Sequence, residues 1–594
     1  MDVISQEQGK MILVSLPFQS IVPSIQLGVL KAYLDKRFKE RVEVLHVYLE
    51  VFCRVTKENY TILTCSDIGE YIFSRLLLNQ EIDKDKVDEM GGTLFGEINF
   101  EQLMSDVSII VDYLDNLVHD ILWKEQVVIC FSINYKQLYC SLYFAKLLKQ
   151  IYPDKVIVVG GFGCSRLIGK DIVDKYSFVD YAISGEGELP LAAIYEAWVH
   201  KKNIELALVN GIISKSSSDE QVQTIADVLP MGEVSMPDYT PYFKHASSLR
   251  LTSDRLYLEA SRGCKWASLS GGCMFCNNNL VNKSVRCKSV VQIVDEIQLI
   301  TKMFGKKKII FTDSLFVAGK ISEFVNEFNK RGLSRLNGGF VELKSTISYE
   351  ELKQLKSIGI TDVQFGIDAL SESLLKRMRK GTSVIQNIAA LKYCAQLGIN
   401  VYANIITNYP DTSTTEINET IQGLKYVSHY CNINNSPLII YYGSPLYHES
   451  VHVKRLVPAN KFNHISEIDA VMSSVYYEND LENNRKWIPV LVMLRKIKQT
   501  REQLPRHPYS LLNYVVQDDS IKIVDCMNNA ETTLYGTSKE IYEYCFAPKS
   551  LTQVLQNLKQ NKTYIYDLLN DMVKRGLVYT NGKLYLSLAV MRDD

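Results

Sequence analysis

No stretch of this chain approaches the ~18 apolar residues that a membrane-crossing helix needs, so no membrane span is expected. Charge of one sign is also scarce: 66 Lys+Arg face 67 Asp+Glu, a formal net charge of -1. Without a basic surplus the chain lacks the global footprint of a nucleic-acid binder. No block of like charge marks an acidic or basic tail. Internal repeats and low-complexity tracts are missing. The N-terminal MDVISQEQGKMILVSLPFQS has no basic leader before a long apolar stretch, and its apolar run Met11–Leu16 is only strand-length. A secretory signal is not expected, and the location expected is cytoplasmic. The 13 cysteines are odd in number, and most sit singly in apolar or mixed surroundings. A disulfide framework does not suit a long cytosolic chain.

What is present fits an ordinary soluble globular chain, with 46% hydrophobic and 22% charged residues. The length of 594 residues suggests several domains. Residues 10–195 alternate strands and helices. Candidate strands are KMILVSLPF, RVEVLHVYLE, QVVICFSI, KVIVVGGFG and YAISGEGELP. Buried strands separated by helices predict a parallel, doubly wound, Rossmann-like sheet. Ligands of such sheets lie beyond the strands' carboxyl ends, here Ser132, Asn134, Gly160, Gly161, Gly163, Gly185 and Glu186. Residues 205–250 show little periodicity and read as a linker. Residues 251–450 repeat the pattern in shorter units, with six candidate strands from LYLEAS to PLIIYYG, and predict a (β/α)6 partial TIM barrel. Functional residues are then expected at strand C-termini. Residues 451–594 begin with an irregular, helical part. Three short helices follow, then a hairpin turning at Asn581-Gly582. That order predicts a mostly helical region ending in a winged-helix-like module. The fold class expected is α/β, with domains at 1–204, 251–450 and 451–594.

One stretch is dense in cysteine. SRGCKWASLSGGCMFCNNN places Cys264, Cys273 and Cys276 in C-x8-C-x2-C spacing, directly after the first barrel strand. Cys287 offers a possible fourth thiolate for structural zinc. The other reading is a [4Fe–4S] cluster on three thiolates, with one iron left open.

The second reading matches the radical S-adenosylmethionine (SAM) enzymes, although their usual spacing is C-x3-C-x2-C. The long loop with SRGC, Trp266 and GCMFCNNN resembles a narrower group: the RiPP-maturation radical SAM proteins with an N-terminal cobalamin-binding-type domain. LPFQSIVPSIQLGVLKAYL, VVGGFG, VDYAISGEGELP, MPDYTPYF, FGIDALSESLLKRMRKGTS, NIITNYPDTS and LYLSLAV follow the group's order. The resemblance implies that Cys264, Cys273 and Cys276 ligate the cluster, whose open iron chelates SAM. One electron then cleaves SAM to a radical that removes hydrogen from an unactivated carbon. It also implies SAM contacts at Asp313, Lys344, Asp368, Ser371 and Asn404, with Asp368 standing where glutamate is usual. The N-terminal strand ends would hold cobalamin. The D-x-H-x-x-G motif is absent; His46 lies inside a candidate strand and His119 in a candidate helix, so no protein histidine is expected on cobalt. The activity implied is C-methylation of a ribosomally made precursor peptide. A flavodoxin or ferredoxin would supply electrons. The same architecture acting on a small molecule, or cyclisation, rearrangement or transfer of another fragment of SAM in place of methylation, remains open.

The would-be recognition helix of the winged module has an apolar face of Ile565, Leu568, Leu569, Met572 and Val573. It has no basic surplus to neutralise phosphates, so nucleic acid is not an expected partner. Two readings of the module stand: a small domain packed on the barrel, or a peptide-recognition module.

Overall fold

The structure, a computed structural model, describes residues 9–39, 42–134, 136–277, 284–452, 456–458, 475–478, 480–504 and 510–592. Positions 278 and 279, the last two of the cysteine-rich stretch, lie outside these. Two compact units form: Met1–Leu258 with Pro458–Tyr476, and Glu259–Val457 with Tyr477–Asp594.

The apolar runs of the N-terminal half become one sheet because neither face of those strands tolerates water. Its strands are β1 (Lys10–Ser15), β2 (Val42–His46), β3 (Gln126–Ser132), β4 (Val156–Gly160), β5 (Tyr181–Ile183) and β6 (Ile212–Ile213), in the order β2-β1-β3-β4-β5-β6. All neighbours are parallel except β5 and β6. Val128, Ile129, Ile157 and Val159 are fully buried. The strand order reverses between β1 and β3, which places the ligand crevice of such folds at those two carboxyl ends. Gln137 bridges them. Its amide donates to Ser15 Oγ at 3.2 Å and to the Leu16 carbonyl, and its Oε1 accepts from Asn134 N at 3.1 Å.

Residues 205–250 are no linker. They supply β6, and Ser184 and Ala226 tie them to β5 through Ser184 N to Gly211 O, 2.8 Å, and Ala226 N to Ser184 O, 2.9 Å. Periodicity was weak there because the segment contributes only a two-residue strand and short helices such as Asp219–Gln223.

Glu70 makes the first unit pH-sensitive. Its carboxylate accepts from Leu138 N at 2.7 Å and Tyr139 N at 3.0 Å, at the start of helix Leu138–Ile151. Burial outweighs these bonds and pushes its pKa up to about 7, from 4.5. The folded state therefore holds a proton that the unfolded state has released between pH 4.5 and 7. Stability contributed by this proton is present below 4.5 and lost as pH rises through about 7, a swing of about 3 kcal/mol. Glu70→Gln is expected to flatten that part of the stability profile, measured by denaturant unfolding of the two proteins across this range.

The second sheet has six strands: β7 (Arg255–Leu258), then, after the small pair β8 (Ser261–Arg262) and β9 (Arg286–Cys287), β10 (Lys308–Phe311), β11 (Gly339–Leu343), β12 (Asp362–Asp368), β13 (Asn400–Thr407) and β14 (Ile433–Pro437). The order is β14-β13-β12-β11-β10-β7, with parallel pairing from β10 through β14. No pairing joins β14 to β7 among the described residues, so the sheet is an open, partial barrel. Serine caps start the outer helices where the polar–apolar period begins. Ser289 accepts from Gln292 N at 3.1 Å, and Ser348 and Ser413 form capping boxes with Glu351 and Glu416.

The C-terminal region holds the expected module. Helices Gly536–Tyr544, Leu551–Leu558 and Lys562–Lys574 accompany a three-stranded sheet of Lys549–Ser550, Leu584–Ser587 and Val578–Thr580. Ile565, Leu569 and Met572 are buried on the third helix. The stretch before it differs from the helical expectation. Leu512–Gln517, Ser520–Asp525 and Ala530–Tyr535 form an antiparallel meander, with Val590–Met591 added beside the first. The fully buried Lys392, on helix Val384–Leu397, ties the module down. Its Nζ donates to Phe546 O at 3.0 Å, Ser587 O at 2.7 Å and Ser587 Oγ at 3.1 Å. No helix among the described residues is long and apolar enough to cross a membrane.

Candidate functional site

The cysteine loop leaves and rejoins the barrel through β8 and β9, whose pairing sets Ser261 opposite Cys287 and Arg262 opposite Arg286. The unusual spacing has a structural cause. A helical stretch, Lys265–Ser270, is inserted between Cys264 and Cys273, and Cys264 stands at its N-cap. Cys273 and Cys276 then fall in one turn, with Cys276 N on Cys273 O at 3.2 Å. Buried Met274 anchors that turn: its N–H donates to Met378 O at 3.0 Å and its carbonyl accepts from Leu446 N at 2.8 Å.

The three thiols are electrostatic neighbours. Burial pushes Cys273 up to about 12, against the pull of Lys380, while Asp368, Cys276 and Cys264 push the same way as burial. The largest charges acting on Cys273 include Cys276 and Cys264, whereas Cys287 stands opposite Ser261 on the β8–β9 pair and is acted on most by Ser261 and Asp313. Among the described residues no trio of His, Cys, Asp or Glu stands at metal-holding distance, so the loop presents three thiols without a preformed cage. The donor set suits an iron–sulfur cluster: three soft ligands on one loop, with two ammonium groups nearby that favour the thiolates.

Lys344 and Lys380 are those ammonium groups. Lys344 directly follows β11, and its Nζ lies 3.5 Å from the Trp266 ring centre. Phe340, Glu342 and Lys344 alternate with buried Gly339, Val341 and Leu343, which sets the first three on the strand's other face. Burial and the charge of Lys380 lower the Lys344 pKa. Asp368 ends β12 at a positive φ of 57° and is ion-paired with Lys380. Asn404 lies half-buried on β13.

Two expected SAM contacts have other work. Asp313 is 1% exposed; its carboxylate accepts from Ala260 N at 3.0 Å and from Ser261 Oγ. Burial pushes its pKa up to about 7. Both oxygens are spent on holding β8, so Asp313 positions the cysteine loop. Asp313→Ala strands two donors and is expected to cost roughly 2–4 kcal/mol, read as a lower unfolding temperature. Ser371 is the N-cap of helix Glu372–Arg377, with Leu374 N at 3.3 Å and Glu419 Oε2 at 2.6 Å.

Sequence reasoning missed Gln137, Glu342 and Lys380. A lysine or glutamate carries no signal of burial in one sequence, and Gln137 sits outside the glycine-marked strand ends. At the N-terminal strand ends the candidates do gather on one rim. Ser132 pairs with Gly160 in register, and Asn134, Gly163, Gly185 and Glu186 lie half-exposed on the loops beyond. Gly161 (φ 123°) lets the β4 loop cross the β3 loop, since a Cβ there would stand 2.2 Å from Ile133 O. Among the described residues a Cβ at Gly160 would meet only Ile183 Cβ, at 3.6 Å, and one at Gly163 only Ile133 Cγ2, at 3.9 Å. Backbone is thus presented with room in front of it, which fits a flat cofactor approaching closely. His46 does not face that rim as a ligand. It is 3% exposed, edge-on to Tyr48 and Tyr242 at 5.6 and 5.5 Å, and burial lowers its pKa to about 3. His119 is exposed just past the end of helix Phe100–Leu117 rather than within it.

Comparison with known proteins agrees with this architecture. The Radical SAM superfamily family model matches residues 258–424. An uncharacterized methyltransferase of Pyrococcus horikoshii is 24% identical over 294 residues, 48% of this chain and 61% of that protein. The hopanoid C-3 methylase of Methylococcus capsulatus is 24% identical over 326 residues, 53% of this chain and 59% of that protein. The chain thus spans about six-tenths of the length of these curated relatives. Among solved structures, the cobalamin-dependent S-adenosylmethionine radical enzyme OxsB, with aqua-cobalamin and SAM bound, superposes with a TM-score of 0.57. That match has 16% identity and covers 97% of this chain and 82% of that one. The fold is therefore the α/β architecture of the cobalamin-binding radical SAM enzymes, with a radical SAM domain at 258–424.

Proposed function

We propose that this chain is a radical SAM enzyme that uses a [4Fe–4S] cluster, SAM and cobalamin to methylate an unactivated carbon of a ribosomally made peptide. The observation that carries the reading is the loop of Cys264, Cys273 and Cys276 at the carboxyl end of the first barrel strand, flanked by Lys344 and Lys380. When bound, the three groups supply one-electron cleavage of SAM and a transferable methyl group.

The chain's own residues hold and orient. Cys264, Cys273 and Cys276 are the cluster ligands. Lys344, already stacked on Trp266, offers its ammonium to the SAM carboxylate, and Asp368 and Asn404 offer polar atoms from neighbouring strand ends. Ser132, Asn134, Gly160, Gly161, Gly163, Gly185 and Glu186 form the cobalamin rim, with no histidine on cobalt. The names of the two curated relatives, a methyltransferase and a methylase, support methyl transfer.

The peptide substrate is supported by the meander that precedes the C-terminal module. Strand Ala530–Tyr535 ends the four-stranded sheet, and Tyr535 is 66% exposed. An edge of this kind receives an extended peptide as an added strand. A flavodoxin or ferredoxin is the proposed electron donor. A second reading, a small-molecule substrate, draws on the hopanoid named for the Methylococcus relative.

The test is anaerobic turnover with methyl-labelled SAM and the precursor peptide encoded beside the gene. Label on a peptide carbon together with 5′-deoxyadenosine is the expected result. Deoxyadenosine with no transfer of label would replace methylation by cyclisation or rearrangement. Label on a small molecule alone would select the second reading.

A further inference from the structure

The segment after helix Glu372–Arg377 is bound to the cysteine loop at successive residues. Met378 O accepts from Met274 N at 3.0 Å, and Arg379 O accepts from Trp266 Nε1 at 2.9 Å. Gly381 (φ 65°) packs so tightly on Trp266 that a Cβ would stand 2.2 Å from the indole. Lys380 lies between these anchored neighbours, with its side chain 16% exposed. Its Nζ lies 5.9 Å from the ring centre of Phe275, the residue between Met274 and Cys276, and forms an ion pair with Asp368. Gly366 leaves the space the ammonium occupies, since a Cβ there would be 2.5 Å from Nζ.

The charges around this ammonium do not cancel neatly. Among the described residues Asp368 is the carboxylate paired with it, and the largest charges acting on it after Asp368 are those of Cys273 and Cys276. The half-buried Glu342 also feels it. Lys344, the other nearby cation, shares Cys273 with it and is also drawn to Cys264. A fixed charge in a low-dielectric site acts strongly on a neighbouring centre whose own charge changes by one.

We propose that Lys380, tempered by Asp368, is the residue that sets the reduction potential of the cluster held by Cys264, Cys273 and Cys276. This rests on the cluster reading given above. A one-electron reductant converts the oxidised cluster to a reduced form one unit more negative; the ammonium stabilises that added charge and Asp368 opposes it. Potentials of such clusters respond to net charge and burial at this range. Lys380 is a positioning charge and touches no reacting atom.

The test is an EPR-monitored dithionite titration of reconstituted full-length protein without SAM. Lys380→Met is expected to move the midpoint to more negative potential, so that at the wild-type midpoint its reduced-to-oxidised ratio falls by roughly tenfold. Asp368→Asn is expected to move it the opposite way, and Lys380→Arg to stay near wild type. A purely structural role would not produce shifts of opposite sign. If Lys380→Met fails to retain iron, Asp368→Asn and Lys380→Arg still decide the matter. Wild type with a cluster and variants with unchanged midpoints, or shifts of one sign, would overturn the inference alone. Wild type without iron would overturn both the inference and the cluster reading.

Discussion

Cys273→Ala protein is expected to lose the iron–sulfur absorbance and nearly all SAM cleavage. The loss should exceed the ~10–100-fold that removal of an outer-sphere partner costs a metal site. Cys287→Ala is expected to keep both, because Cys287 pairs with Ser261 on the β8–β9 ladder, outside the Cys264–Cys276 turn. The contrast separates a three-thiolate cluster from four-thiolate zinc, in which all four substitutions would behave alike. Iron loading also has a predicted pH trend. Burial holds the Cys273 thiol up to about 12, and a ligand must lose its proton to bind. Reconstitution is therefore expected to improve as pH rises from 7 to about 9, followed by iron per chain.

Gly161→Val is expected to remove cobalamin while leaving iron in place. At φ 123° a branched side chain is strained whatever its surroundings. Here its Cβ would also meet Ile133 at O, C and N, at 2.2, 2.9 and 3.1 Å. Backbone on both sides leaves nothing flexible to yield, so the β3 and β4 loops must separate. Strain of this kind costs about 1–3 kcal/mol before the collision is counted. The partner experiment is Gly160→Ala, one residue away, where the nearest atom would be 3.6 Å off. That variant should fold like wild type. A weakened cobalamin affinity in it, at unchanged unfolding temperature, would mark Gly160 as a place where the cofactor touches backbone. Unchanged cobalt content in Gly161→Val would remove the rim from the cobalamin site.

The doubly wound sheet and the barrel were legible because their strands are continuous apolar runs closed by glycine or a polar residue, as in KVIVVGGFG and DVQFGID. The cysteine loop was legible by its spacing, and the helix Lys265–Ser270 explains why that spacing is long. The meander at 512–535 was not. Its strands alternate polar and apolar residues over only six positions each, and NYVVQDDSIKIVD holds no glycine turn signal. The 205–250 segment was hidden because a two-residue strand has no period. Asp313 and Ser371 stand at the right strand ends, yet the fold spends them on Ser261 and on a helix cap. A strand-end position predicts proximity to a ligand, and only the hydrogen bonds show whether a side chain is still available to it. Lys380 illustrates the converse: in KRMRKGTS it looks like one cation among four, and its place against Phe275, Asp368 and Gly366 selects it.

The most direct measurement is a count of iron, cobalt and zinc per chain in protein made anaerobically in cells supplied with cobalamin. The account predicts about four irons and one cobalt, with no zinc. Four irons without cobalt would keep the radical chemistry and contradict methylation through cobalamin. Zinc in place of iron would contradict the reading of Cys264, Cys273 and Cys276 itself.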